Sequence, residues 1–239
     1  MLKTGLLLLA GTLAVTGSLF AVPTLRLSDG ATTRIICDQN ACGFATDSDA
    51  SVIPGIVSFN GSVGTFSTNV STGITKPISG TASEPILDLD SVNASGVGTL
   101  TVTFTETDFT SPLGNAVGTL LAHLQNQLNT PNVAVADIVV LYDSANGYFV
   151  GAPVVASSHL QKIDSLPFGP FPASSATTSV FPITSTLPYS LTLIATITHS
   201  TLGTSQLHST YSQVPEPGFY GALALGLSCL FVMKRRRTQ

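Results

Sequence analysis

The sequence predicts an antiparallel β-sandwich, and three observations carry that prediction. Residues 99–108 read TLTVTFTETD, with Leu100, Val102 and Phe104 in one phase and Thr99, Thr101, Thr103, Thr105 and Thr107 in the other. Alternation with period two marks a strand with one buried face. Charged residues make up only 9% of the chain while hydrophobic residues make up 44%. An average globular chain carries about 25% charged residues, so a charged helical surface is not expected. Short β-branched runs also recur along the chain with turn residues between them.

The elements follow in order within a domain spanning residues 22–213. Residues 56–59 and 64–70 read as a hairpin across Asn60-Gly61-Ser62, a pair with Asn-Gly turn chemistry. In ILDLDSV, Asp88 and Asp90 would share one face of a strand, with Leu87 and Leu89 filling the other. Residues 99–108 form the next strand. Residues 117–129, VGTLLAHLQNQLN, place Leu120, Leu121, Leu124 and Leu128 at helical spacing and predict a short amphipathic helix, stopped by Pro131. A strand at 134–142 leads through a turn at 143–147 to a strand at 148–150. Residues 166–188 carry Pro167, Pro170, Pro172, Pro182 and Pro188 and predict a long loop or an edge with little pairing, because proline cannot donate to a ladder. A β-branched strand at 191–198, a turn at Gly203 and a closing strand at 205–211 complete the domain. The whole is mainly β, immunoglobulin- or jelly-roll-like.

The two ends read as addresses. Residues 1–21 combine Lys3, an apolar stretch at 6–15 and small residues up to Ala21. That is the pattern of a secretory signal peptide cut near Ala21. At the other end an apolar helix is expected over 219–233. Its rise of about 23 Å falls short of a hydrocarbon core of about 30 Å. Lys234, Arg235, Arg236 and Arg237 follow directly and would keep the tail on the cytoplasmic side. The expectation is a precursor tethered transiently to the inner membrane.

Val214-Pro215-Glu216-Pro217, then the apolar run, then the basic cluster resembles the PEP-CTERM sorting signal of Gram-negative bacteria. The resemblance implies recognition by an exosortase, a membrane cysteine protease-transpeptidase, with a cut near the Pro-Glu-Pro motif. The same tail also carries the label of an ice-binding protein C-terminal domain, which describes the tail and not an activity. LRLSDGATTRII, GIVSFNGSVGTFSTNVSTGITKP, ILDLDSVNASGVGTLTVTFTETDF, YDSANGYFVG and LTLIATITHS resemble segments of a recurrent, uncharacterised β domain of PEP-CTERM proteins, over most of residues 25–200. That resemblance brings no catalytic residues with it.

Candidate chemistry is sparse. Cys37 and Cys42 sit close together in CDQNACG and predict a disulfide that fixes a small loop; the alternative is a metal pair, but no second Cys or His pair lies nearby at zinc spacing. Cys229 falls in the apolar tail. Asp47 and Asp49, and Asp88 and Asp90, are the candidate oxygen ligands for a weak Ca²⁺ site, although an EF-hand's glycine and distal glutamate are absent. Otherwise they are solvated carboxylates. His123, His159, His199 and His208 form no HExxH pair, and there is no GxSxG and no phosphate-binding glycine loop. No catalysis is expected. The net charge of −4 and the absence of a basic patch outside the tail argue against nucleic acid. The threonine phase of 99–107 is one candidate row for contacting glycan or ice, and is otherwise a β-favoured, soluble outer face; ice binding would call for several such strands in register, and the sequence shows one. Asn60, Asn69 and Asn93 lie in N-x-S/T sequons. The resulting expectation is an exported, exosortase-processed surface or matrix protein with a structural or adhesive role. Its partners would be the secretion translocon, the exosortase and exopolysaccharide. The alternative is a carbohydrate- or calcium-binding extracellular module.

Overall fold

The computed structural model describes residues 21–110, 114–126, 134–148, 160–168, 173–183, 188–215 and 228. The strands are β1 (Thr24–Ser28), β2 (Thr33–Cys37), β3 (Ile56–Val63), β4 (Phe66–Ile74), β5 (Ile86–Phe109), β6 (Gly114–Asn126), β7 (Ala134–Asp143), β8 (Leu160–Phe168), β9 (Ala173–Ile183) and β10 (Tyr189–Pro215). All pairings among them are antiparallel.

Two unusually long strands organise the fold. β5 runs for 24 residues and β10 for 27, and they pair with each other along most of that length. Their common ladder shifts register between His199 and Gly203, where Gly203 meets Gly96. On one side of this break, residues 99–109 of β5 pair with β1 and with the first part of β10, which pairs onward with β7. On the other side, residues 86–96 pair with β4 and with the last part of β10, which pairs onward with β6. One ribbon therefore serves two sheets. The first sheet runs β2-β1-β5-β10-β7-β8 and the second runs β3-β4-β5-β10-β6-β9. Two antiparallel sheets facing each other make the fold a jelly-roll-like β-sandwich.

The core lies between them. Leu25, Leu27, Leu100, Val102, Phe104, Ile138, Val140 and Leu193 come from the first sheet, and Val57, Phe59, Leu87, Leu89, Leu120, Leu207 and Tyr211 from the second; all are buried. Each such side chain contributes about 1.5–3 kcal/mol through removal from water. The two sheets approach closely at Gly73 of β4, where a Cβ would stand 2.5 Å from Cδ2 and Cε2 of Phe104. No side chain larger than hydrogen fits there without moving the ring.

His199 links the break in the two long strands. It is 2% exposed, its Nδ1 lies 3.1 Å from the Gly96 carbonyl, and its Nε2 lies 2.8 Å from Ser205 Oγ. A carbonyl only accepts, so Nδ1 carries the proton and Nε2 receives the serine hydroxyl. Burial holds this imidazole below the ordinary histidine range, opposed in part by the Gly96 carbonyl.

Several expectations are corrected. Residues 117–126 are not helical: they belong to β6, which pairs with β10 on one side and β9 on the other. Leu120 and Ala122 are buried while Leu121 is exposed, a period of two. Leu120, Leu124 and Leu128 fit either period, Leu121 fits only the helical one, and the ladders available on both sides decide for strand. Leu128 lies outside the described residues. The β3–β4 hairpin turns at Gly64 and Thr65, not at Asn60-Gly61-Ser62. Gly64 has φ +55°, and a Cβ there would collide with the Asp29 carboxylate. The Asn60-Gly61 pair sits instead at a β-bulge, where the register shifts between Phe59 and Gly61. No turn interrupts β10 at Gly203; the position is the register shift just described. The turn after β7 is present, but Tyr148 is a bend and 149–150 lie outside the described residues. The proline-rich stretch contributes edge strands, β8 and β9, with Pro167 opposite Asp137 and Pro182 opposite Asn115.

Candidate functional site

Two regions combine polar chemistry with access. The first is the outer face of the first sheet. Cross-strand partners there bring Thr33, Ser28, Thr101, Thr196 and Asp137 into a single row over β2, β1, β5, β10 and β7. A second row pairs Thr99 with Thr198. Thr33, Thr99 and Asp137 are exposed, and Ser28, Thr101, Thr196 and Thr198 are half-buried. Neighbouring hydroxyls bond one another: Ser28 Oγ lies 3.1 Å from Thr33 Oγ1, and Thr99 Oγ1 lies 3.1 Å from Thr198 Oγ1. Neighbouring strands lie about 4.8 Å apart and alternate residues along a strand about 6.7 Å apart, so the hydroxyls recur at regular spacing over the face.

The face is open at one end only. Towards the end of β5, Thr103, Thr105, Thr107 and Thr192 are buried. Thr105 and Thr192 share a hydrogen bond of 2.9 Å between their hydroxyls. At this end the connections after β2 and β7 meet, with Phe44 and Tyr148 edge to face at 5.6 Å between centroids. Asn146 of the second connection donates to Asp108 Oδ1 and accepts from the Asp108 amide, and Ser190 Oγ donates to the Gly147 carbonyl. The threonine phase of β5 is therefore an outer face open to solvent only at its Thr99–Thr101 end.

The second region is a cavity of about 680 Å³ at the mouth of the sandwich, lined by residues including Val22, Asp38, Pro54, Gly55, Lys76 and Pro77. Asp38 is 9% exposed; its Oδ2 accepts from the Gly55 amide at 2.8 Å, while its Oδ1 is sealed from solvent without a hydrogen-bond partner. Burial pushes its carboxyl above the usual range, opposed by the Gly55 amide. Lys76 Nζ is fully committed. It donates to the Thr107 carbonyl, lies 3.1 Å from Glu106 Oε1, and sits 4.0 Å from the centroid of the Phe109 ring. Glu106 is fully buried, its Oε1 also accepts from the Thr107 amide, and its Oε2 has no partner. Burial pushes the Glu106 carboxyl up to about 7, with the Lys76 ammonium pulling the other way. Burial likewise lowers Lys76, opposed by Glu106.

The residues singled out in the sequence fall as follows. Cys37 and Cys42 are bonded through their Sγ atoms, Cα to Cα 5.9 Å, and close the loop that carries Asp38. Asp47 pairs with Arg34 at 3.5 Å and accepts from Thr46 Oγ1. Asp49 organises its loop by accepting from the amides of Gln39, Ser51 and Ser58. Asp88 and Asp90 lie on the outer face of the second sheet, with Leu87 and Leu89 inward. There Thr210 Oγ1 donates to Asp88 Oδ1, and His208 Nδ1 lies 2.9 Å from Asp90 Oδ1. The two aspartate pairs thus sit on different elements and hold protein partners. Among the described residues, no group of three or more His, Cys, Asp or Glu side chains is placed to hold a metal. Val214 and Pro215 close β10, opposite Val117 and Ala116. Glu216, Pro217, the apolar run apart from Ser228, and Lys234 to Arg237 lie outside the described residues, as do residues 1–20. Among the described residues no helix is long and apolar enough to cross a membrane.

Sequence reasoning missed Asp38, Lys76 and Glu106. Glu106 had a legible signal, since it continues the inward phase of Leu100, Val102 and Phe104. Asp38 and Lys76 had none, because the loops that bring them to the mouth are set by tertiary contacts.

No family model matches the chain, and no curated protein does. Among solved structures it is similar to TmCBM61, described in complex with β-1,4-galactotriose, at 7% identity over 63% of this chain and 88% of that one, with a TM-score of 0.29. It is also similar to the enzymatically active domain of tailspike protein 4 of bacteriophage CBA120, at 15% identity over 66% of this chain, with a TM-score of 0.28. The match spans only 19% of that tailspike chain. Both likenesses are distant.

Proposed function

We propose that this chain is an exported carbohydrate-binding module, held at the cell surface or in an exopolysaccharide matrix, that contacts polysaccharide through the open end of the first sheet. The observation that supports the reading is the row Thr33, Ser28, Thr101, Thr196 and Asp137, which places hydroxyls of neighbouring strands in register on an accessible face. A polysaccharide presents hydroxyls at regular intervals, and each protein hydroxyl both donates and accepts. Arg26, half-buried in the adjacent row opposite Thr103, adds a donor for acidic sugars. Export and sorting rest on the sequence: a signal segment cut near Ala21, then exosortase recognition of Pro215-Glu216-Pro217 while residues 219–233 and the basic cluster hold the precursor in the inner membrane. The module binds without turning over its ligand.

The test is retention of the exported protein on a panel of immobilised neutral and acidic polysaccharides. Replacing Thr101 and Thr196 together by valine keeps the β-branched shape and removes two hydroxyls. At about 1 kcal/mol per hydrogen bond the affinity falls by roughly tenfold or more. Asp90→Asn on the other sheet leaves retention unchanged. Retention of the wild type on no polysaccharide would end this reading.

A further inference from the structure

Asp38, on the wall of the mouth cavity, holds a carboxylate oxygen that lacks a hydrogen-bond partner. Asp38 Oδ1 is sealed and unpaired, and Asp38 as a whole is only 9% exposed. A buried acceptor left unsatisfied costs about 1–3 kcal/mol, more when it is charged. Lys76 lines the same cavity but spends its ammonium on Thr107, Glu106 and the Phe109 ring, so it does not answer Asp38. Ala21 and Val22 also form the cavity wall. Their position is fixed by the strand that follows: the Asp38 amide donates to the Pro23 carbonyl at 2.9 Å, and Thr24 Oγ1 donates to the Val22 carbonyl at 2.8 Å. The expected signal-peptide cut falls between those two wall residues.

We infer that the α-ammonium group released at Val22 by that cut docks in the mouth as the partner of Asp38, so that processing completes the site. The inference rests on the export reading above. Hydrolysis breaks the C–N bond between Ala21 and Val22; the oxygen of water goes to the Ala21 carboxylate and its hydrogens leave Val22 as an ammonium. That cation appears on the wall shared with Asp38, and removal of Ala21 opens space beside it. Before the cut the carboxylate is sealed without a cation; after the cut it is paired.

Two measurements on the protein exported from a Gram-negative host test this separately. The mass of its N-terminal peptide reports the cut, and the expected first residue is Val22. A different first residue overturns the export cut and this inference with it. Limited reductive methylation of the same protein with formaldehyde then reports the amine, folded against urea-unfolded. A paired ammonium reacts about tenfold more slowly when folded, the factor that one unit of pKa represents. Asp38→Asn restores the rate in the folded chain; should that variant not fold, the folded-to-unfolded ratio of the wild type still decides. A chain that begins at Val22 yet methylates as fast folded as unfolded overturns the pairing and leaves the export cut standing.

Discussion

Replacing Glu106 by glutamine should abolish a specific part of the pH dependence of stability. Glu106 is fully buried, and burial lifts its carboxyl from the ordinary glutamate value of 4.5 to about 7 despite the Lys76 ammonium 3.1 Å away. Between those two values the folded chain holds a proton that the unfolded chain releases. Stability therefore falls as pH rises through the window, and the loss levels off above it. Integrating the linkage from about pH 5 to about pH 7 gives a loss of about 2 kcal/mol from this one group. In Glu106→Gln that term is absent, while all other titrating groups are retained. The assay is urea denaturation of both proteins followed by circular dichroism at several pH values, with the difference between them plotted against pH. A difference that declines by about 2 kcal/mol supports the account. Parallel curves would refute it, and would mean that Glu106 is ionised throughout and that the Lys76 pair outweighs burial. Lys76→Met gives a companion result. Its penalty is small near pH 6, where Glu106 is largely protonated in either protein, and grows above pH 7, where the wild type sets a cation against the carboxylate and the variant does not.

Other expectations follow from single contacts. Gly73→Ala drives a methyl into the Phe104 ring and should cost about 1–3 kcal/mol in denaturant melts, much of it recovered with Phe104→Leu. His199→Ala leaves the Gly96 carbonyl and Ser205 hydroxyl without their shared partner and should cost about 1–3 kcal/mol. Because burial lowers the folded pKa of His199, its protonation opposes folding. The wild type should lose stability as pH falls below about 6.5, and His199→Gln should not show that component. Serine at both Cys37 and Cys42 should lower stability by about 2 kcal/mol, read from the shift in denaturation midpoint, because the closed loop is short.

The fold class was legible because burial imposes a period of two, which residues 99–108 show plainly, and because 134–142 and 191–198 are short runs rich in β-branched residues. The long strands were not legible as single strands. Gly203 reads locally as a turn residue, and only the pairing of two distant segments keeps β10 continuous through it. The helix expected at 117–129 failed for a related reason. Three of its four leucines satisfy both periods, and the choice belongs to β9 and β10, which lie far along the chain. The candidate surface was half legible. The threonine phase of β5 is plain in the sequence, but the row exists because Ser28, Thr33 and Thr196 arrive beside Thr101, and registers between distant strands leave no local trace. The closed end of the face was not legible either, since it depends on the meeting of Phe44 and Tyr148 from connections far apart in sequence.

The most direct test of the central claim is a methyl-threonine NMR titration of the exported protein with an oligosaccharide cut from a polysaccharide that retains it. The account predicts that the methyls of Thr99, Thr101, Thr196 and Thr198 shift together with one affinity, while those of Thr72 and Thr210 on the second sheet stay in place. Shifts confined to the second sheet or to the mouth, with Thr101 and Thr196 unmoved, would contradict it.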